Sequence, residues 1–99
     1  MSRSRNFVFT RNNYIGTLFE DTVSCKYIIY GKEVGESGTP HLQGFVTFPE
    51  AKTLKTVIKL FNGCHVEISK APFQAIEYCK KEGAFVERGD PPLSPVASA

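Results

Sequence analysis

Long apolar runs are missing from this sequence. None approaches the roughly 18 consecutive apolar residues of a membrane-spanning helix, and the N-terminus has no apolar core of the secretory-signal kind. Cysteine is scarce. Cys25, Cys64 and Cys79 form an odd set with no metal-ligand spacing, which argues against a disulfide framework and fits a reducing compartment. These absences read as a soluble, intracellular chain. No GxxxxGK[ST] loop is present, which excludes a phosphate-cradling loop of that type from these residues. There is no internal repeat. Acidic residues are missing from the start: Arg3, Arg5 and Arg11 all precede the first carboxylate, Glu20. That patch either attracts phosphate or is a solvated tail, and a net charge of +2 does not decide between them.

The rest of the composition is that of a globular protein, with 41% hydrophobic and 22% charged residues. A length of 99 residues allows one domain with one modest core and is too short for two. Residues 6–10 (NFVFT) read as a strand, rich in aromatic and β-branched side chains. Asn12-Asn13 breaks it, and residues 14–22 read as a short helix or a loop. Residues 26–33 (KYIIYGKE) and 41–48 (HLQGFVTF) read as two more strands, joined by VGESGTP with the glycine, serine and proline of a hairpin turn. From Pro49 the period changes. Leu54, Val57, Ile58 and Phe61 recur at helical spacing opposite Lys52, Lys55 and Lys59, which predicts a helix over 49–60 stopped by Asn62-Gly63. Residues 64–69 (CHVEIS) alternate as a strand. Residues 71–81 form a second helix, with Pro72 in its first turn and Gly83 beyond its end. Residues 84–88 close with a fifth strand. Residues 89–99 (GDPPLSPVASA) hold three prolines among small side chains and read as a disordered tail or the start of a linker. The order predicts an α+β fold, an antiparallel five-stranded sheet with helices packed on one face.

Side chains alternate along a strand, so His41 and Gln43 project together while Leu42, Val46 and Phe48 point to the opposite, helix-covered side. An imidazole beside an amide oxygen is a partial ligand set for a divalent cation. It lacks negative charge and needs a carboxylate nearby. Glu33 ends the preceding strand, and folding back at the hairpin brings it beside His41. The alternative is an exposed strand with an exposed end. Tyr78 and Lys81 lie three apart near the end of the second helix and share a side, while Cys79 turns to the core. A tyrosine nucleophile must lose a proton held with a pKa of roughly 10. A neighbouring cation and a metal-polarised phosphate make that attack feasible. The alternative is an amphipathic tyrosine at a helix edge among solvated lysines. The stretch from Phe7 to Asn13 can stack bases and clamp a backbone, or Phe7 and Phe9 can be plain core. Phe45 either stacks a base or packs beneath His41 and Gln43. His65 and Glu67 share one face, for DNA contact or as a satisfied strand histidine.

Three segments in order carry a resemblance. FTRNN (residues 9–13), TPHLQGF (residues 39–45) and EYCKKEG (residues 77–83) look like motifs I, II and III of one family. The chain resembles the N-terminal endonuclease domain of replication initiator (Rep) proteins of small circular single-stranded DNA viruses, in the circovirus-like group of HUH nucleases. The similarity spans residues 6 to 90. It implies an RRM-like (ferredoxin-like) sheet, with residues 1–90 as the HUH-type endonuclease domain and 91–99 as a tail or linker to an absent helicase domain. It implies Glu33, His41 and Gln43 as metal ligands, Tyr78 as the nucleophile that becomes linked to a 5′ phosphate, and Lys81 as its assistant. Phe9, Thr10, Arg11, Asn12 and Asn13 are implied contacts to origin DNA.

One departure bears on the metal. The wider superfamily carries two histidines in motif II, and here Gln43 stands in place of the second, an amide that suits magnesium or manganese better than zinc. With a single tyrosine in motif III, one nucleophile must serve both cutting and joining. The implied reaction is transesterification, initiating and terminating rolling-circle replication. Its implied partner is single-stranded DNA at an origin stem-loop, in the host nucleus and away from membranes. The isolated domain is expected to be a monomer and the full-length protein an oligomer. Two rival readings are a non-catalytic nucleic-acid-binding module on an RRM-like sheet and a protein-interaction domain. The first needs no convergence of Glu33, His41, Gln43 and Tyr78; the second predicts no salt-sensitive DNA binding.

Overall fold

Alternating and continuous apolar stretches determine how each strand is buried. The structure, a computed structural model, describes residues 2–12, 24–34, 38 and 40–92. Its elements are β1 (Arg3–Asn12), β2 (Tyr27–Val34), β3 (Pro40–Thr53), α1 (Leu54–Leu60), β4 (His65–Ile68), α2 (Pro72–Lys80) and β5 (Phe85–Gly89). The five strands form one antiparallel sheet in the order β4-β1-β3-β2-β5. Its first four strands have the ferredoxin-like order, and β5 extends the sheet beyond β2. The α+β class and the antiparallel five-stranded sheet are therefore as the sequence predicts. The expectations for residues 14–22 and for most of the β2–β3 turn lie outside the described residues. So does most of the Pro-rich tail.

One detail of the expected architecture is corrected: the two helices cover opposite faces. On one face Phe7, Phe9, Ile28, Tyr30, Leu42, Val46, Phe48 and Val66 pack with Val57 and Phe61 beside α1. On the other, Tyr27, Ile29 and Phe45 pack with Ile76 and Cys79 of α2. The physical reason is in β2, where Tyr27, Ile28, Ile29 and Tyr30 are all buried in succession. A strand that is apolar on both sides needs cover on both sides.

The helix boundaries follow from capping and pairing. The first helix begins at Leu54 rather than near Pro49, because Lys52 and Thr53 still pair with Ser4 and Arg3 of β1 after a register shift. Thr53 then caps α1, its hydroxyl accepting from the Thr56 amide at 3.3 Å. Ile58, placed on the inner stripe by spacing, is exposed, while Val57 and Phe61 are buried. The second helix starts on Pro72, and Gly83, at φ +78°, receives the chain after its end, its amide donating to the Lys80 carbonyl at 2.9 Å.

Candidate active site

Register places the polar end of the α2 face. Glu33 lies directly opposite His41, and Gly31 opposite Gln43. On the other side of β3, Asn12 is opposite His41 and Thr10 opposite Gln43. All six positions share the α2 face by alternation. Gly31 is the seat of the helix. A methyl group there would run into the Cys79 carbonyl oxygen, so only glycine lets the last turn of α2 rest on the β2 backbone. That contact buries Cys79 and leaves Tyr78 and Lys81 beside the polar end of the sheet. Burial first, and then the nearby Glu33 charge, push the Cys79 thiol up to about 12. Cys79 is thus a neutral core residue.

The side chains converge. His41 Nε2 lies 3.6 Å from Glu33 Oε1, and Lys81 Nζ lies 3.2 Å from the same oxygen. Lys81 Nζ also stands 3.9 Å from the centre of the Tyr78 ring. The lysine is held above its ordinary value, first by a hydrogen bond to Tyr78 and then by Glu33. Glu33 and His41 side chains are 12% and 21% exposed, whereas Tyr78 is 49% exposed. Tyr27 and Tyr30 are buried, and Tyr27 donates to Glu87 Oε2 at 2.7 Å. Its burial, followed by that carboxylate, holds the Tyr27 phenol well above the usual range. Tyr78 is therefore the open tyrosine among the described residues.

Gln43 joins this group through its register position, and its Oε1 accepts from the Thr10 hydroxyl at 3.4 Å. Among the described residues, no three of His, Cys, Asp and Glu gather as a metal site. Beside Glu33 and His41, the Gln43 amide is a further oxygen donor on the same face. Glu33 Oε2 is buried and has no hydrogen-bond partner, and a buried carboxylate oxygen left so is costly unless a cation meets it. The donor set fits a hard divalent ion on those grounds.

The first motif divides between the two faces. Phe9 is 1% exposed and its ring stacks on Phe61 at 4.6 Å. It is core on the α1 face and has no surface to offer DNA, which corrects its place among the expected contacts. Arg11 follows the same alternation, Thr10 and Asn12 face the site, and Asn13 lies outside the described residues. Phe45 is fully buried and packs beneath α2. His65 and Glu67 pair with each other at 3.2 Å on the exposed side of strand β4. Sequence reasoning missed Gly31 as the helix seat, although a glycine inside the apolar run YIIYGKE was its signal.

The comparisons with known proteins agree on one family. A family model described as "Putative viral replication protein" matches residues 4–82. The replication-associated protein of Human associated cyclovirus 1 is 42% identical over 98 residues, covering 91% of this chain and 35% of that protein. The replication-associated protein of Porcine circovirus 2 is 46% identical over 97 residues, covering 88% and 31% respectively. The master replication protein of Banana bunchy top virus is 37% identical over 82 residues, 82% of this chain and 28% of that protein. The chain thus spans about a third of the length of the curated relatives it matches. With one family model covering most of its residues, and relatives of this identity along the same stretch, the chain belongs to the viral replication protein family.

Proposed function

We propose that this chain is a metal-dependent endonuclease and strand-joining domain that nicks single-stranded DNA at a viral replication origin. The observation that carries the reading is the meeting of Glu33, His41 and Lys81 beside the exposed Tyr78 on one face of the sheet. Glu33, His41 and Gln43 would hold a divalent cation, Mn2+ or Mg2+, and the buried, unpartnered Glu33 Oε2 supports this. When bound, such an ion supplies Lewis-acid polarisation of the phosphate.

The chain's own residues do the rest. The exposed Tyr78 gives up its phenolic proton to solvent water, and its oxygen forms a bond to phosphorus. The bond from phosphorus to the 3′ oxygen breaks, and that oxygen leaves as a 3′ hydroxyl after taking a proton from water. Lys81, beside the Tyr78 ring, stabilises the Tyr78 oxygen as it loses its proton and would neutralise a phosphate bound there. The phosphotyrosine keeps the energy of the broken ester. A later 3′ hydroxyl therefore reverses the step without ATP, and one tyrosine serves cutting and joining.

The substrate is single-stranded, exposed in the loop of an origin stem-loop, because a paired and stacked backbone bends less readily toward Tyr78. We also propose that it acts in the host nucleus. We further propose that the domain alone is monomeric and that the full-length protein is an oligomer.

The test is a denaturing gel of the chain incubated with an origin stem-loop oligonucleotide, in Mn2+ or in EDTA. A covalent protein–DNA band that needs both Mn2+ and Tyr78, and disappears in Tyr78→Phe, is the expected result. Tight, metal-independent binding with no covalent band would replace this reading with a non-catalytic binding module.

A further inference from the structure

The two oxygens of Glu33 have different surroundings. Oε1 lies 3.2 Å from Lys81 Nζ and 3.6 Å from His41 Nε2, whereas Oε2 is buried without a partner. Lys81 Nζ stands at the same time 3.9 Å from the centre of the Tyr78 ring. One ammonium is therefore shared between the carboxylate that would hold a cation and the tyrosine that would attack. The sharing crosses from sheet to helix, since Glu33 belongs to β2 and Lys81 follows the last residue of α2. Resting on the function proposed above, we infer that the Lys81 ammonium competes with the divalent cation for Glu33. The cation loosens the hold of Glu33 on Lys81 and releases its ammonium toward Tyr78 and the phosphate.

Three physical points carry this. Glu33 has one negative charge, so an ammonium at Oε1 reduces what it offers a cation, and a doubly charged ion on the same carboxylate repels the ammonium. The two partners also differ in freedom. The Lys81 side chain is 37% exposed and that of Glu33 12%, so the lysine can swing into water while the carboxylate stays. A lysine suits this role because its compact charge rides on a flexible stem, unlike the planar fork of arginine. The coupling must run both ways, because two ligands that oppose each other at one group do so reciprocally. Lys81 therefore weakens cation binding to the same extent that the cation weakens the ion pair.

The experiment is Mn2+ binding followed by the electron paramagnetic resonance signal of the free ion, without DNA. It compares the parental chain with Lys81→Met, Lys81→Arg and Glu33→Gln, each checked for folding by circular dichroism. Lys81→Met is expected to bind Mn2+ roughly fivefold or more tightly, while forming the covalent DNA adduct more slowly. Lys81→Arg keeps the competing charge and should retain near-parental Mn2+ affinity; Glu33→Gln should lose affinity. Equal or weaker Mn2+ binding by a folded Lys81→Met overturns the competition and leaves the nuclease reading in place. Lys81→Arg binding as tightly as Lys81→Met also overturns it, since charge would not be the cause. Failure of every form, parental included, to bind Mn2+ overturns both.

Discussion

The two faces of the sheet are built from similar aromatic and aliphatic side chains but are closed differently. On the α1 face the apolar cover runs from Phe48 to Leu42 along β3, and a Phe9 ring lies directly over Gly44. On the α2 face it stops at Phe45; Gln43 and His41 follow, and the helix end is seated on Gly31. One face uses a glycine to admit a side chain, the other to admit a helix backbone. The lesson is a division of labour. The α1 face holds the sheet together, and the α2 face holds Tyr78 and Lys81 in register with Glu33 and His41.

The largest expected effect breaks the closed face. Phe9→Ala removes a buried ring that fills the space above Gly44 and stacks on Phe61. It should cost about 3–5 kcal/mol of stability, read as a shift of the urea midpoint. Adduct formation per folded molecule should hardly change. A smaller stability effect with a larger functional one is expected from Gly31→Ala. Its methyl group collides with the Cys79 carbonyl and lifts the end of α2. The cost should be about 1–3 kcal/mol, with most adduct formation lost even in conditions where the chain is fully folded. If both variants lost adduct only in proportion to unfolding, the division of labour would be wrong.

The smallest effect concerns Cys79, under the same helix end. Its thiol is pushed up to about 12, chiefly by burial, so the folded chain holds that proton more tightly than the unfolded one. The associated stability is present below the ordinary thiol range and is lost as pH rises toward 12. Iodoacetamide at mildly alkaline pH should therefore leave Cys79 unmodified in the folded chain and modify it in urea, as read by peptide mass. Rapid modification in the folded chain would show that the seat on Gly31 opens readily.

Much of this was legible in the residues. Hairpin chemistry and strand alternation were enough to bring Glu33 opposite His41 and to put Gln43 on the same face. Helical spacing put Tyr78 beside Lys81 and turned Cys79 inward. The start of α1 was not legible, because β3 is prolonged by pairing with the first residues of β1, a contact far away in sequence. Phe9, implied as a DNA contact, is core instead, and its burial was not legible for a similar reason. An aromatic in a motif looks the same whether it meets a base or, as here, Phe61. The opposite placement of the helices had a signal in the unbroken apolar run of β2, which needs cover on both faces.

The sequence by itself determined the strands, the hairpin register and the sidedness of each candidate residue, because these depend on periods of two and on turns of a few residues. Only the tertiary structure decided which face each helix covers, and so whether Tyr78 and Lys81 meet Glu33 at all. That meeting depends on close packing between distant segments, the α2 backbone against Gly31, and no local period encodes it.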